Sequence, residues 1–172
     1  MANHLAVYNR TIFHTDYIQM MLSGDKSTEI KLGYRRVAPF GKITAGDYMY
    51  IKEASGPVVG RVLIPEVKDY VLDPGSPELL EILLRIQETV GLRDAEHAHA
   101  MFEKNQYKRY ATVFSLAKPE QLEHPVRIYK NNMSTWIANY ELPVELQFAF
   151  GISDAEMKKE SKRDRENEFR HF

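Results

Sequence analysis

The sequence predicts an α+β domain built on a mixed, curled sheet or small barrel, followed by a charged C-terminal helix or tail. Three observations predict it. Short runs of alternating apolar and polar residues, bounded by Gly and Pro, recur along the chain as strand signals. Two helical patterns sit side by side between strands, which is the order of an α+β rather than an alternating α/β chain. The 172 residues, 44% hydrophobic and 27% charged, suffice for one core and fall short of two.

The first strand is predicted over Leu5 to Phe13. A short helix follows, with His14 or Thr15 near its start and Tyr17, Ile18, Met21 and Leu22 at helical spacing. Gly24 suits the left-handed residue that ends it. Thr28 to Leu32 is the next strand. Alternation points Ile30 and Leu32 one way and Glu29 and Lys31 the other. A loop with Arg35, Arg36, Pro39 and Gly41 leads to the Ala45-Gly46-Asp47 turn, which launches a strand over Tyr48 to Lys52. After the turn at Ser55-Gly56-Pro57, Val58 to Val67 reads as a long strand interrupted at Pro65, a residue that cannot donate to a central ladder.

Ser76-Pro77 opens a helix with a Ser cap and Pro at the first helical position. Leu79, Leu80, Leu83, Leu84, Ile86 and Val90 form its apolar stripe, and Gly91 ends it. Asp94 caps a second helix through Lys104. Tyr110 to Leu116 alternates as a strand, and Val126 to Lys130 reads as the last one. Trp136 then closes the barrel end. Ser153-Asp154-Ala155-Glu156 is a capping-box pattern leading into KKESKRDRENEFRHF, an exposed charged helix or frayed tail. The expected division is a domain over 1–143 and a charged helical extension over 144–172, the latter a candidate for contact with a partner protein.

Composition narrows the chemistry. With no cysteine there is no disulfide, no thiolate metal site and no cysteine nucleophile. His97 and His99 stand two apart on a helix and face different directions, so they make no metal pair. No P-loop, dinucleotide fingerprint, nucleophile elbow or zinc spacing is present, and no metal or cofactor is expected. The net charge of −1 excludes a bulk electrostatic grip on nucleic acid, so a polyanion has to be held by a local patch. The N-terminus lacks the basic and apolar regions of a secretory signal, and no apolar run approaches the length of a membrane span; the expected location is the cytoplasm, without a membrane partner.

The segment Gly24 to Lys31, GDKSTEIK, gathers the charges that bear on function. Lys26 lies in the loop feeding a strand on which Glu29 and Lys31 share a face. Arg35 and Arg36 extend the basic character, and Gly24 lets backbone approach a ligand. Such a cluster can hold a phosphate with its cations and a base edge or hydroxyl with its carboxylate. It can also transfer protons if burial moves Lys26 or Glu29 toward neutral pH. Tyr107, Lys108, Arg109 and Tyr110 add a second basic and aromatic run, suited to stacking bases and meeting phosphates.

The segment fits Gly-x-Lys-x-x-Glu-x-Arg/Lys and resembles the signature of the ASCH domain family, in the PUA-like superfamily. The preceding helix, the Lys-Ile-Thr-Ala-Gly-Asp-Tyr stretch, the Val58 to Val62 strand, both helices and the returning strand Tyr110 to Leu116 resemble the family in the same order, over roughly residues 5 to 130. The resemblance implies a small PUA-like β-barrel with helices at its rim and a cleft floored by the motif. It implies binding of RNA or another single-stranded nucleic acid, or of a nucleotide-like ligand. The binding residues would be Gly24, Lys26, Glu29, Lys31, Arg35, Arg36, Tyr107, Lys108 and Arg109. The alternative is a hydrolase: one branch of the family deacetylates a modified cytidine nucleoside, and another cuts RNA. Lys26 and Glu29 would then be the acid/base pair, with Glu88 as a positional match to a further family carboxylate. In the deacetylating branch a Thr nucleophile stands three residues after the motif Lys. Glu29 occupies that position here, and a carboxylate does not replace a hydroxyl nucleophile.

Overall fold

The computed structural model describes residues 1–11, 15–130 and 132–152. Its elements run β1 (Asn3–Tyr8), α1 (Tyr17–Ser23), β2 (Thr28–Gly33), β3 (Asp47–Glu53), β4 (Val58–Ile64), β5 (Val67–Val71), α2 (Glu78–Val90), α3 (Ala95–Asn105), β6 (Tyr110–Ser115), β7 (Ala117–Val126), β8 (Trp136–Ile137) and α4 (Val144–Ala149). The α+β class holds. Among the described residues the strands do not form one closed barrel: they divide into a five-stranded sheet, order β7-β4-β3-β1-β8, and a three-stranded sheet, order β2-β6-β5.

Local chemistry explains several helix ends. Asp16 caps α1 through the Gln19 N–H, and Gly24 ends it at φ +87°, where a side chain is strained. Asp94 caps α3 through the His97 N–H. The start of α2 lies one residue later than expected: Pro77 rather than Ser76 is the N-cap and no side chain caps the helix, although Ser76 Oγ accepts from the Glu78 N–H at 3.4 Å.

Pro65 does more than interrupt a strand. The chain leaves the five-stranded sheet after Ile64 and re-enters as β5 in the other sheet, so the single strand expected over Val58 to Val67 is two strands in two sheets. The last strand expected over Val126 to Lys130 is likewise displaced. The strand that pairs with β4 is β7, ending at Val126. β7 contains Pro119 and Pro125, and its place at the sheet edge leaves their missing N–H groups without consequence. The first strand ends at Tyr8; Ile12, Phe13 and His14, assigned to its end and the helix start, lie outside the described residues, as does the capping box at Ser153 with the tail beyond it.

Alternation along β1 and β3 sends Ala6, Tyr8, Met49 and Ile51 to one face of the large sheet and Leu5 and Tyr50 to the other. The first face packs on α1 and on Phe114 of the small sheet. The second is covered by the C-terminal segment: α4, within the expected extension, buries Leu146 against it. Trp136 is buried rather than presented as a platform; it pairs with Ala6 and packs edge-on against Phe114. The small sheet turns Ile30, Ala111 and Leu32 toward α2 and α3, where Leu79, Ile82, Leu83 and Ala98 complete a separate core cluster. β2 is an edge strand, and the cleft lies along it.

Candidate functional site

The site begins with Lys26, which the turn after Gly24 delivers to the C-terminal end of α2. Its backbone N–H donates to Met20 O, and the Ser27 N–H donates to Thr89 O. Lys26 Nζ donates to Val90 O at 2.7 Å, so an ammonium sits on carbonyls that a helix end leaves unpaired and partly negative. Lys26 is only 4% exposed.

Glu29 is also buried, at 6% exposure, although alternation alone would assign a charged strand residue opposite Ile30 to solvent. Its face of β2 looks toward the five-stranded sheet. There the Tyr8 hydroxyl donates to Glu29 Oε2 at 2.7 Å. The Ile30 N–H donates to Oε1 at 2.9 Å. Lys26 Nζ lies 3.4 Å from Oε1, and Lys31 Nζ lies 3.7 Å from Oε2. Each carboxylate oxygen thus accepts one hydrogen bond from a neutral donor and lies within ion-pair distance of one ammonium. Glu29 is thereby the common ion-pair partner of the two lysines.

The electrostatics follow from this arrangement. Burial opposes ionisation of Glu29, but Lys26, Lys31, the Tyr8 hydroxyl and the Ile30 N–H outweigh it and lower the carboxyl to about 2. This shift moves the Glu29 pKa away from neutral pH and favours the ionised carboxylate. Burial lowers Lys26 from the ordinary lysine range; Glu29 opposes that shift and Lys31 adds to it. Burial and the adjacent Glu29 charge raise Tyr8 well above the usual phenol range.

These residues floor a cleft of about 590 Å³ between β2 and α3. Lys31 is its most accessible floor residue, with 28% of its side chain exposed and its ammonium 4.3 Å from the Tyr8 ring centre. The opposite wall carries Arg93, His97, Ala100, Met101, Lys104 and Asn105, and Val90 and Leu92 line the inner end. His97 is oriented by the Arg93 N–H, which donates to Nδ1 at 3.4 Å. Among the described residues the cleft lining thus includes Lys26, Lys31, Arg93 and Lys104 as cationic side chains and Glu29 as a carboxylate.

No protein-family model and no curated protein matches the sequence. Solved structures do match the fold. The chain superposes on ASCH from Zymomonas mobilis with a TM-score of 0.57 at 14% identity, covering 87% of this chain and 93% of that one. The chain has an ASCH-like fold. Two single-substitution variants of the Zymomonas protein give TM-scores of 0.56 and 0.55 at 12% identity, each over 87% of this chain and over 96% and 94% of theirs.

Within the ASCH-like fold, the residues singled out from the sequence separate into three groups. Lys26, Glu29 and Lys31 converge on the cleft floor. Gly24 is exposed and serves as the α1 cap, and Glu88 is exposed on α2; neither lines the cleft. Arg35, Arg36, Tyr107, Lys108 and Arg109 gather outside it, beyond the end of β2. Of the wall residues, Arg93 and Lys104 were not expected to line a site, and His97 was considered only as a metal ligand and set aside. Their signal lies in the spacing of residues 97, 100, 101 and 104, one face of α3 that mixes polar with small and apolar residues, with Arg93 just before the helix cap.

Proposed function

We propose that the cleft binds a nucleotide unit of single-stranded nucleic acid, RNA foremost, by its phosphate and its base. The observation that carries this reading is the convergence of Lys26, Lys31 and Arg93 on a mainly apolar cleft whose lining, among the described residues, includes one carboxylate, Glu29. Lys31, Arg93 and Lys104 meet the phosphate. Tyr17, Leu92 and Met101 receive the base, with His97 and Asn105 as polar edges. Lys26 and Glu29 act as positioning residues: Lys26 donates inward to Val90 O, and Glu29 fixes both lysines. The two sheets, joined at Tyr8 and Glu29, stand for an opened form of the PUA-like barrel, and the reading places the protein with cytoplasmic nucleic acid. Titrating labelled RNA, DNA and a mononucleotide at two salt concentrations tests it. Affinity is expected to fall steeply with salt as phosphate counterions are exchanged. Absence of binding at both concentrations rejects it.

One observation favours a hydrolase as the second reading. Burial lowers Lys26 from the ordinary lysine value, the direction a lysine base needs, beside a carboxylate that favours its ionised form. Lys26 would move the proton and Glu29 would steady the charge, not share the transfer. Turnover on a panel of modified nucleosides and RNA that is lost in folded Lys26→Met supports it; an inactive wild type across the panel removes it.

A further inference from the structure

Two basic and aromatic segments that lie over 70 residues apart in the sequence meet at one end of the small sheet. Gly33 of β2 pairs with Tyr110 of β6, and the Arg109 N–H donates to Gly33 O at 3.1 Å. Across this junction Lys108 Nζ lies 4.3 Å from the Tyr34 ring centre, and the Arg36 guanidinium lies 5.5 Å from that of Tyr110. Tyr34 and Tyr107 are 59% and 65% exposed. Arg35, Arg36, Lys108 and Arg109 have no carboxylate within ion-pair distance among the described residues. Exposed phenol rings interleaved with cations that carry no counter-charge complement a chain of phosphates bearing flat bases, each ring offering a stacking face.

The junction adjoins the cleft. Lys31, on the cleft floor, shares a strand face with Gly33 two residues on. Asn105, on the opposite wall, accepts from the Lys108 N–H at 2.9 Å. We infer that the surface around Tyr34, Arg35, Tyr107, Lys108 and Arg109 is a second station for a single-stranded polynucleotide, continuous with the cleft that holds one of its nucleotides. This rests on the cleft reading above and makes the ligand an oligonucleotide rather than a free nucleotide. The strand leaves the cleft past Lys31 and stacks bases on Tyr34 and Tyr107 while the arginines follow its backbone.

The test compares a mononucleotide with short single-stranded RNA of increasing length, using the whole chain, Tyr34→Ala/Tyr107→Ala, and Arg35→Ala/Lys108→Ala/Arg109→Ala. All these positions lie at the surface, and unchanged unfolding midpoints confirm the fold. Wild type should gain about tenfold or more in affinity for each base stacked beyond the first. Both variants should lose most of that gain and keep the mononucleotide affinity. A wild type with no length dependence, or variants that retain it, overturns the second station and leaves the cleft reading standing. Binding at no length, mononucleotide included, removes both. Polyglutamate of matched charge competing as well as RNA also overturns the inference, since charge alone would then account for the surface.

Discussion

The Tyr8 hydroxyl donates to Glu29 Oε2 at 2.7 Å and so joins β1 of the five-stranded sheet to β2 of the three-stranded one, beneath the cleft. Residues 21 apart in the chain thereby fix the carboxylate that orders Lys26 and Lys31. Removing this bond without removing volume should be felt as stability. Tyr8→Phe is expected to cost about 1.5–3 kcal/mol, the range for a hydrogen bond to a charged group. Urea unfolding with an unchanged m-value checks it, and a loss below about 0.5 kcal/mol would show that the bond contributes little.

Lys26 and Glu29 are both buried, so each depends on the other for compensation. Glu29→Leu strands two ammonium groups and should destabilise by about 3–5 kcal/mol. Lys26→Met/Glu29→Leu should be less destabilised than Glu29→Leu alone, because no unpaired buried charge remains at Lys26. A double-mutant cycle gives the answer; strict additivity of the two single changes would contradict the coupling.

Acid should expose the same dependence. The Glu29 carboxyl is lowered from 4.5 to about 2 on folding, so between these values the unfolded chain binds more protons than the folded one. Its stabilisation is complete above the unfolded value and is lost as pH falls through the folded one, a difference on the order of 3 kcal/mol. Asp47 adds to the acid slope. Burial raises its pKa, but hydrogen bonds from His4, the Ala2 N–H and the Thr44 N–H lower it overall. Denaturant midpoints followed from about pH 6 downward should fall more steeply in wild type than in Glu29→Gln. Parallel curves would show that Glu29 is not the linked group.

The helix ends were legible because their chemistry is local. Gly24, Gly91 and Asp94 act within one turn of their own positions. The sheet change at Pro65 was not legible, because a proline marks where pairing stops and says nothing about which strand the chain joins next. The position of Glu29 on β2 followed from alternation, but its burial did not. The groups that satisfy it include Tyr8 on another sheet, and the second sheet facing β2 leaves no trace in an eight-residue motif. The cationic wall of α3 stayed hidden for a related reason: a polar helix face is read as solvated until a strand is found opposite it.

The central claim is that the cleft between β2 and α3 is an anion-binding site whose Lys31 meets a phosphate. Lys31→Met removes that charge at a partly exposed position and leaves the Lys26–Glu29 pair in place. The most direct measurement is the affinity for a short single-stranded RNA as a function of salt, in wild type and in Lys31→Met. The expected result is weaker binding by the variant at every salt concentration and a log–log slope shallower by about one. Equal affinities and equal slopes would contradict the account.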